Sequence, residues 1–436
     1  ASLTYTGSEK FAKTHRWGLF PAMGIGYILS NEPYWKPLEN IFPMFKLKYS
    51  LGQVGNDQIA GPGERFFFLS EIDPYQGGYR WGRDFNSNYG SFTVKRYANP
   101  QITWEIAVKQ NVGFEMDIFK NSPLKLIIEY FTENRKQIYM ERENLPETMG
   151  LTSEQGVFGN VGQVKSKGWD GSLDLNHTIN KDAWISGRFN FTYAHNEVVQ
   201  NEEPVYRWPY LSNIGWPINT WKGYIAERLF IDEADVANSP RQELGGTVQA
   251  GDIKYKDINN DGRINSDDQV HIGYPIVPEI TYGVGLSGGY KNFDVSFFMQ
   301  GQDRVSFFID PNSIAPFANR RNAMQYIADN HWNPNNPVAQ SFWPRLSATF
   351  NGNNNVTNST WWIRNGRFLR MKTAEIGYTF TKNIFRTTPV ESARLYLVGQ
   401  NLFNITSFKL WDPEMGGNGF NYPLQTVYSV GLNVTF

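Results

Sequence analysis

From Val427 to Phe436 the chain reads VYSVGLNVTF. Tyr428, Val430, Leu432, Val434 and Phe436 fall on one face, and Ser429, Gly431, Asn433 and Thr435 on the other. A period of two marks a strand with one apolar and one polar side. The device recurs upstream. Met116 and Ile118 alternate with Glu115 and Asp117; after the turn Lys120-Asn121-Ser122-Pro123, Leu124, Leu126, Ile128 and Tyr130 resume the apolar face. Leu173 and Leu175 lead through Asn180-Lys181-Asp182 to Ile185, Phe189, Phe191 and Tyr193. Tyr282, Val284 and Leu286 cross Lys291-Asn292 to Phe293, Val295, Phe297 and Met299. Each pair is an antiparallel hairpin closed by turn-forming residues.

About twelve such strands are expected, joined alternately by tight turns and by long connections at roughly 54–103, 139–162, 200–278, 304–360 and 404–426. Compact soluble domains rarely carry several loops of that length, whereas outer-membrane barrels combine short periplasmic turns with long extracellular loops. In lipid every backbone N–H and C=O must be paired, so a sheet persists there only as part of a closed barrel. The pattern predicts an all-β fold, a transmembrane antiparallel β-barrel with its C-terminus periplasmic and its long loops extracellular. A soluble all-β glycan-binding protein or glycan hydrolase with decorated loops is the alternative.

Composition narrows this further. Charged residues are 19% and aromatic residues 16% of the 436, and no run reaches the ~18 apolar residues of a membrane helix. A net charge of −1 gives no footprint for nucleic acid. With no cysteine there is no disulfide framework, thiol nucleophile or Cys-ligated zinc. The chain opens ASLTYTGS, without an initiator Met or a signal peptide, and is read as a mature or cleaved piece whose N-terminal part lies elsewhere.

Several blocks then occur in order: Arg16-Trp17-Gly18 with Phe20-Pro21, Gly52-Gln53 with Gly55-Asn56, GDIKYKDINNDGRINSDDQVHIG, FLRMKTAEIGYTF, GQNLF, DPE and the terminal strand. In this order they resemble the C-terminal part of the SusC/RagA family of TonB-dependent transporters, across essentially residues 1–436. The resemblance implies a barrel of about twenty-two strands, of which this chain would supply about twelve, with the plug and the other strands on a preceding segment. It implies uptake of an oligosaccharide or peptide beneath a SusD-like surface lipoprotein lid, driven by TonB with ExbB and ExbD, in a dimeric SusCD-type assembly in outer-membrane lipid, and no enzymatic activity. A passive porin or adhesin barrel is the second alternative.

Asp257, Asn259, Asp261, Gly262, Arg263, Asn265 and Asp268 stand at positions 1, 3, 5, 6, 7, 9 and 12 of an EF-hand-like loop, with Arg263 contributing its backbone carbonyl. A structural Ca2+ would suit three carboxylates and two amides at that spacing. Asp268 is shorter than the usual Glu, and the flanks read as strands, so an Asx-rich turn without metal is the other reading. No other cofactor is called for. Gly285-Leu286-Ser287-Gly288-Gly289 matches a nucleophile elbow, but the strand continues to Tyr290 where the elbow requires a helix. The histidines at 15, 177, 195, 271 and 331 have no metal or acid–base spacing. Glu115, Asp117, Asp174, Asp294 and Glu375 sit on polar strand faces, as a solvated barrel wall requires. Among loop aromatics, Trp81, Trp208, Trp216, Trp221, Trp332 and Trp361 are the candidate substrate contacts, because a ring covers sugar or peptide C–H surface while nearby amides satisfy polar groups.

Overall fold

The computed structural model describes all residues except 60, 62–64, 67, 121–123, 150–156, 318–319 and 348–353. Its main element is one antiparallel sheet. Twelve strands follow one another along it: β1 (Ser2–Gly7), β2 (Trp17–Ile28), β3 (Met44–Asn56), β4 (Glu105–Ile118), β5 (Leu124–Glu141), β6 (Phe158–Asn180), β7 (Ala183–Gln200), β8 (Ile280–Tyr290), β9 (Phe293–Asp303), β10 (Phe368–Thr381), β11 (Ser392–Gln400) and β12 (Val427–Thr435). Sequential strands are neighbours throughout, and Asn404–Thr406 adds a short thirteenth strand to β10. The three expected hairpins are β4–β5, β6–β7 and β8–β9. The turn residues 121–123 of the first lie outside the described residues. No described helix is long and apolar enough to cross a membrane, which leaves β-strand crossing untouched.

Register sorts the side chains by face. In the middle of the sheet Leu126, Leu173, Phe189, Val284 and Met299 stand opposite one another from strand to strand. Toward the long connections the next rows become aromatic: Tyr49, Tyr130, Trp169 and Tyr193 share one row with Val112 and Ile280. Toward the short turns Tyr290, Phe293 and Tyr378 form another row, with ring centroids of Phe293 and Tyr378 4.6 Å apart. Strand β8 carries both rows, from Ile280 to Tyr290. At about 3.3 Å per residue and a tilt of ~40°, it spans roughly 25 Å, the height of the apolar band of an outer-membrane barrel.

This face is uncovered. Val430 is 73% and Val295 49% exposed, where a soluble sheet would pack them against a second layer. The other face is charged and internally paired. Lys48 bridges Glu115 and Glu129, Arg188 meets Asp174 at 2.5 Å across β6–β7, and Arg394 joins Asp294 and Glu375. An apolar exterior and a polar, ion-paired interior are the inverse of a soluble core and the rule for a barrel in lipid. Ser287 faces Ser186 and Ser296 in the middle of this strand pairing, with no turn at the residue.

Candidate functional site in the loop body

The described residues of the connections 201–279, 304–367 and 401–426 fold together into one body at one end of the wall. Short ladders stitch it: 221–223 with 270–272, 226–229 with 253–255, and 306–308 with 363–365. Its core contains Leu229, Ile253, Tyr255, Ile264, Ile309, Trp343 and Trp362, each at most 1% exposed. A buried polar knot crosses that core. Asp252, fully buried, accepts from Arg345 Nε at 2.7 Å and Asn355 Nδ2 at 2.8 Å. Trp362 Nε1 donates to the Asn355 carbonyl at 2.7 Å, and Tyr255 Oη to that of Asn354 at 2.6 Å. Burial raises the Tyr255 hydroxyl's pKa well above its usual value, keeping it a donor. On the body's flank Arg228 holds the Asp235 carboxyl well below the usual range, with Lys254 adding to it.

An open cleft of about 700 Å³ is cut into this body. Its aromatic wall is Tyr326, Phe342 and Trp361, with Tyr326 and Phe342 edge-on at 5.0 Å. Trp361 Nε1 donates to the Phe342 carbonyl at 3.1 Å, fixing the indole. Arg364 donates through Nη1 to the carbonyls of Trp361 and Ile363 at 2.7 and 2.8 Å, and lies over the Phe342 ring. Burial pulls its pKa down, though guanidinium stays charged at any ordinary pH. Asn333, Asn336, Gln340 and Asp329 complete the rim. Rings beside amides, one cation and one carboxylate can stack an apolar ligand face and hydrogen-bond its polar edge.

The six tryptophans singled out by sequence occupy different environments. Trp361 lines the cleft. Trp332 is 6% exposed and packs over Gly251, whose φ of +83° and contact with the indole leave no room for a side chain. Trp216 stacks on His271 at 4.3 Å, Trp221 sits edge-on to Phe308 at 4.7 Å, and Trp208 stacks with Tyr210 at 6.2 Å. Trp81, 58% exposed, stands with Tyr79 on the separate hairpin 71–81/87–96. Tyr326, Phe342 and Arg364 escaped the sequence reading because no short motif joins residues from 326 to 364. The density of aromatic and amide residues there was the available signal.

The 257–268 loop turns its carboxylates toward its own backbone. Asp257 accepts from the N–H groups of Asn260 and Gly262 at 2.7 and 2.8 Å. Asp268, fully buried, accepts from Ile258 and Asn265 at 2.8 and 2.9 Å. Asn259, Asp261 and Asn265 each close an Asx turn onto the residue two further on, and Asn265 with Asp268 forms a reciprocal capping box. Among the described residues no three His, Asp or Glu side chains converge as a metal site requires. These hydrogen bonds close the loop on itself as an Asx-rich turn.

A strand wall with one uncovered apolar face and one ion-paired face, topped by a structured loop body, is the architecture of part of a large antiparallel β-barrel. No family model matches the chain. It is 25% identical over 460 residues to TonB-dependent receptor P3 of Formosa agariphila, across 99% of this chain and 43% of that protein. It is 23% identical over 455 residues to TonB-dependent receptor SusC of Bacteroides thetaiotaomicron, across 100% of this chain and 42% of that protein. Among solved structures it resembles the RagAB peptide importer in the closed-closed state, with a TM-score of 0.73 and 20% identity over 100% of this chain and 45% of the other. The open-open state gives 0.74. Over its whole length the chain is similar to TonB-dependent receptors, SusC among them, and shares the fold of the matching RagAB chain, and it spans less than half the length of the relatives it matches.

Proposed function

We propose that this chain supplies barrel wall and extracellular loops to a TonB-dependent importer that carries an oligosaccharide or a peptide across the outer membrane. The observation that carries the reading is the pairing of an outward apolar band, bounded by aromatic rows, with a loop body holding an open aromatic and amide cleft. The long connections lie outside and the short turns in the periplasm. A SusD-like lipoprotein closes over the loop body, and a plug pulled by TonB with ExbB and ExbD opens the path, in a dimeric assembly of the SusCD kind. The 257–268 turn stiffens the loop body by its own Asx hydrogen bonds. A Ca2+ ion held by Asp257, Asn259, Asp261, the Arg263 carbonyl, Asn265 and Asp268 is the competing proposal.

The test is uptake by the whole transporter in its own cells. Deleting it should abolish growth on one class of oligosaccharide or peptide, and depleting TonB should do the same. Unchanged growth after deletion, or recovery of the protein in the soluble fraction without detergent, would sink this reading.

A further inference from the structure

Beyond the aromatic row of Tyr130 and Trp169, the outward face of β5–β7 becomes cationic over a short distance. Thr132, Lys167 and His195 occupy the next row. Lys165 and Glu197 follow in the row after it, and Lys136 stands further along β5. Together they line a hollow of about 410 Å³ on the same face as the apolar band, at the end nearer the long connections. Lys136, Lys165 and Lys167 are exposed, and none makes an ion pair among the described residues. His195 is already engaged with Glu279 at 2.5 Å, and Glu279 also faces Arg304. Glu133 also lines the hollow and is paired with Lys109 and Arg135, which leaves Glu197 as the one uncommitted carboxylate of the lining against three free ammonium groups.

Depth fixes what such a patch meets. Two residues along a strand tilted by ~40° rise about 5 Å, so Lys167 stands about 5 Å and Lys165 about 10 Å beyond the aromatic row. The polar layer on each side of a bilayer is about 5–8 Å thick, so Lys167 lies within it, Lys165 at its outer edge, and Lys136, about 15 Å from the aromatic row, beyond it. Lysine stems can lie along the band while their ammonium groups reach into that layer, and anionic headgroups are drawn to basic clusters placed there. A soluble polyanion has no reason to prefer a hollow whose floor continues into an apolar membrane face. We infer that the hollow seats the phosphate of an outer-leaflet glycolipid headgroup, held by Lys136, Lys165 and Lys167, with the Thr132 hydroxyl facing its sugar. This rests on the orientation proposed above, with the long connections outside.

The full transporter, extracted from its own outer membranes in mild detergent, is titrated with lipid A and with dephosphorylated lipid A, and bound lipid is read by native mass spectrometry. Wild-type protein should bind the phosphorylated form at least tenfold more tightly. The triple variant Lys136→Gln, Lys165→Gln, Lys167→Gln should lose that preference while keeping its heat-modifiable migration, and Lys167→Gln alone should lose part of it. Equal binding of the two lipids by the wild type overturns the inference without any variant. Displacement by inorganic phosphate as readily as by lipid A overturns it in favour of a free-anion site. Failure of the wild type to fractionate with membranes would remove the importer reading as well, whereas a membrane-embedded protein without phosphate preference removes only this inference.

Discussion

Arg370 Nη2 lies 2.6 Å from both carboxylate oxygens of Asp412, across 42 positions of sequence. Glu414 approaches the same nitrogen at 2.8 Å. Arg370 is on the polar face of β10 and only 3% exposed, while Asp412 caps the short helix 413–415 in the loop body. The contact ties the wall to the body through one desolvated guanidinium. Removing one partner of a buried pair strands the other, at a cost of about 3–5 kcal/mol. Asp412→Ala should therefore lower the melting temperature in detergent and speed hydrogen exchange across 404–420. Arg370→Met, which strands both Asp412 and Glu414, should cost more, because Glu414 still faces Arg370 in the Asp412 variant; an equal or smaller loss would show that the pair does not behave as a buried bridge.

Position in the apolar band sets tolerance to charge. Leu286 is an outward residue near the middle of β8, and Ser287 is its inward neighbour. Leu286→Arg should destabilise the barrel by ~2–4 kcal/mol, the cost of an Arg near the bilayer midplane. Ser287→Arg should cost far less. Urea unfolding in lipid vesicles measures both, and similar costs would contradict the assignment of faces.

His271 makes the loop body sensitive to mild acid. Burial, and then the charge of Lys222, lower its pKa against the opposing pull of the Ser212 carbonyl. Its Nε2–H donates to that carbonyl at 2.9 Å, which leaves Nδ1 bare and buried beneath Trp216. Since the folded value lies below the unfolded ~6.5, the unfolded chain binds more protons as pH falls. This contribution to stability is full above about pH 7 and is lost as pH drops below ~6.5 toward the folded value. His271→Gln should flatten the melting temperature between pH 7 and 5; an unchanged slope would assign the effect to other groups.

The 257–268 turn should be indifferent to calcium. Its Asp257 and Asp268 oxygens already accept backbone N–H groups. A chelator should leave the melting temperature unchanged, whereas Asp268→Ala should lower it through a loss of about 1–3 kcal/mol of stability from the orphaned N–H groups of Ile258 and Asn265. A rise in melting temperature on adding Ca2+ would reinstate the cation.

Solute contact separates the tryptophans. Trp361→Ala should reduce uptake at low solute concentration at least fivefold with little loss of folded protein. Trp332→Ala, in the core, should instead cost about 3–5 kcal/mol of stability and lower the amount of folded transporter. Equal uptake by the Trp361 variant, at equal surface level, would take the cleft out of the transport path.

The strands, their order and the faces they present were legible in the chain because a period of two is a local property, and tight turns such as Lys291-Asn292 hold register without distant help. The two faces of β12 can be read from VYSVGLNVTF alone. The long connections were recognisable only as long. Trp332 and Trp361 look alike in sequence, yet one is sealed over Gly251 and the other lines an open cleft. That difference arises where two separated connections converge on Asp252, Asn355 and Trp362. Likewise Asp412 acquires its partner only once β10 is in place, and the lysines of β5 and β6 share a hollow only through interstrand register. Alternation along a strand is written into neighbouring residues, while the burial of a loop side chain depends on which distant segment packs against it.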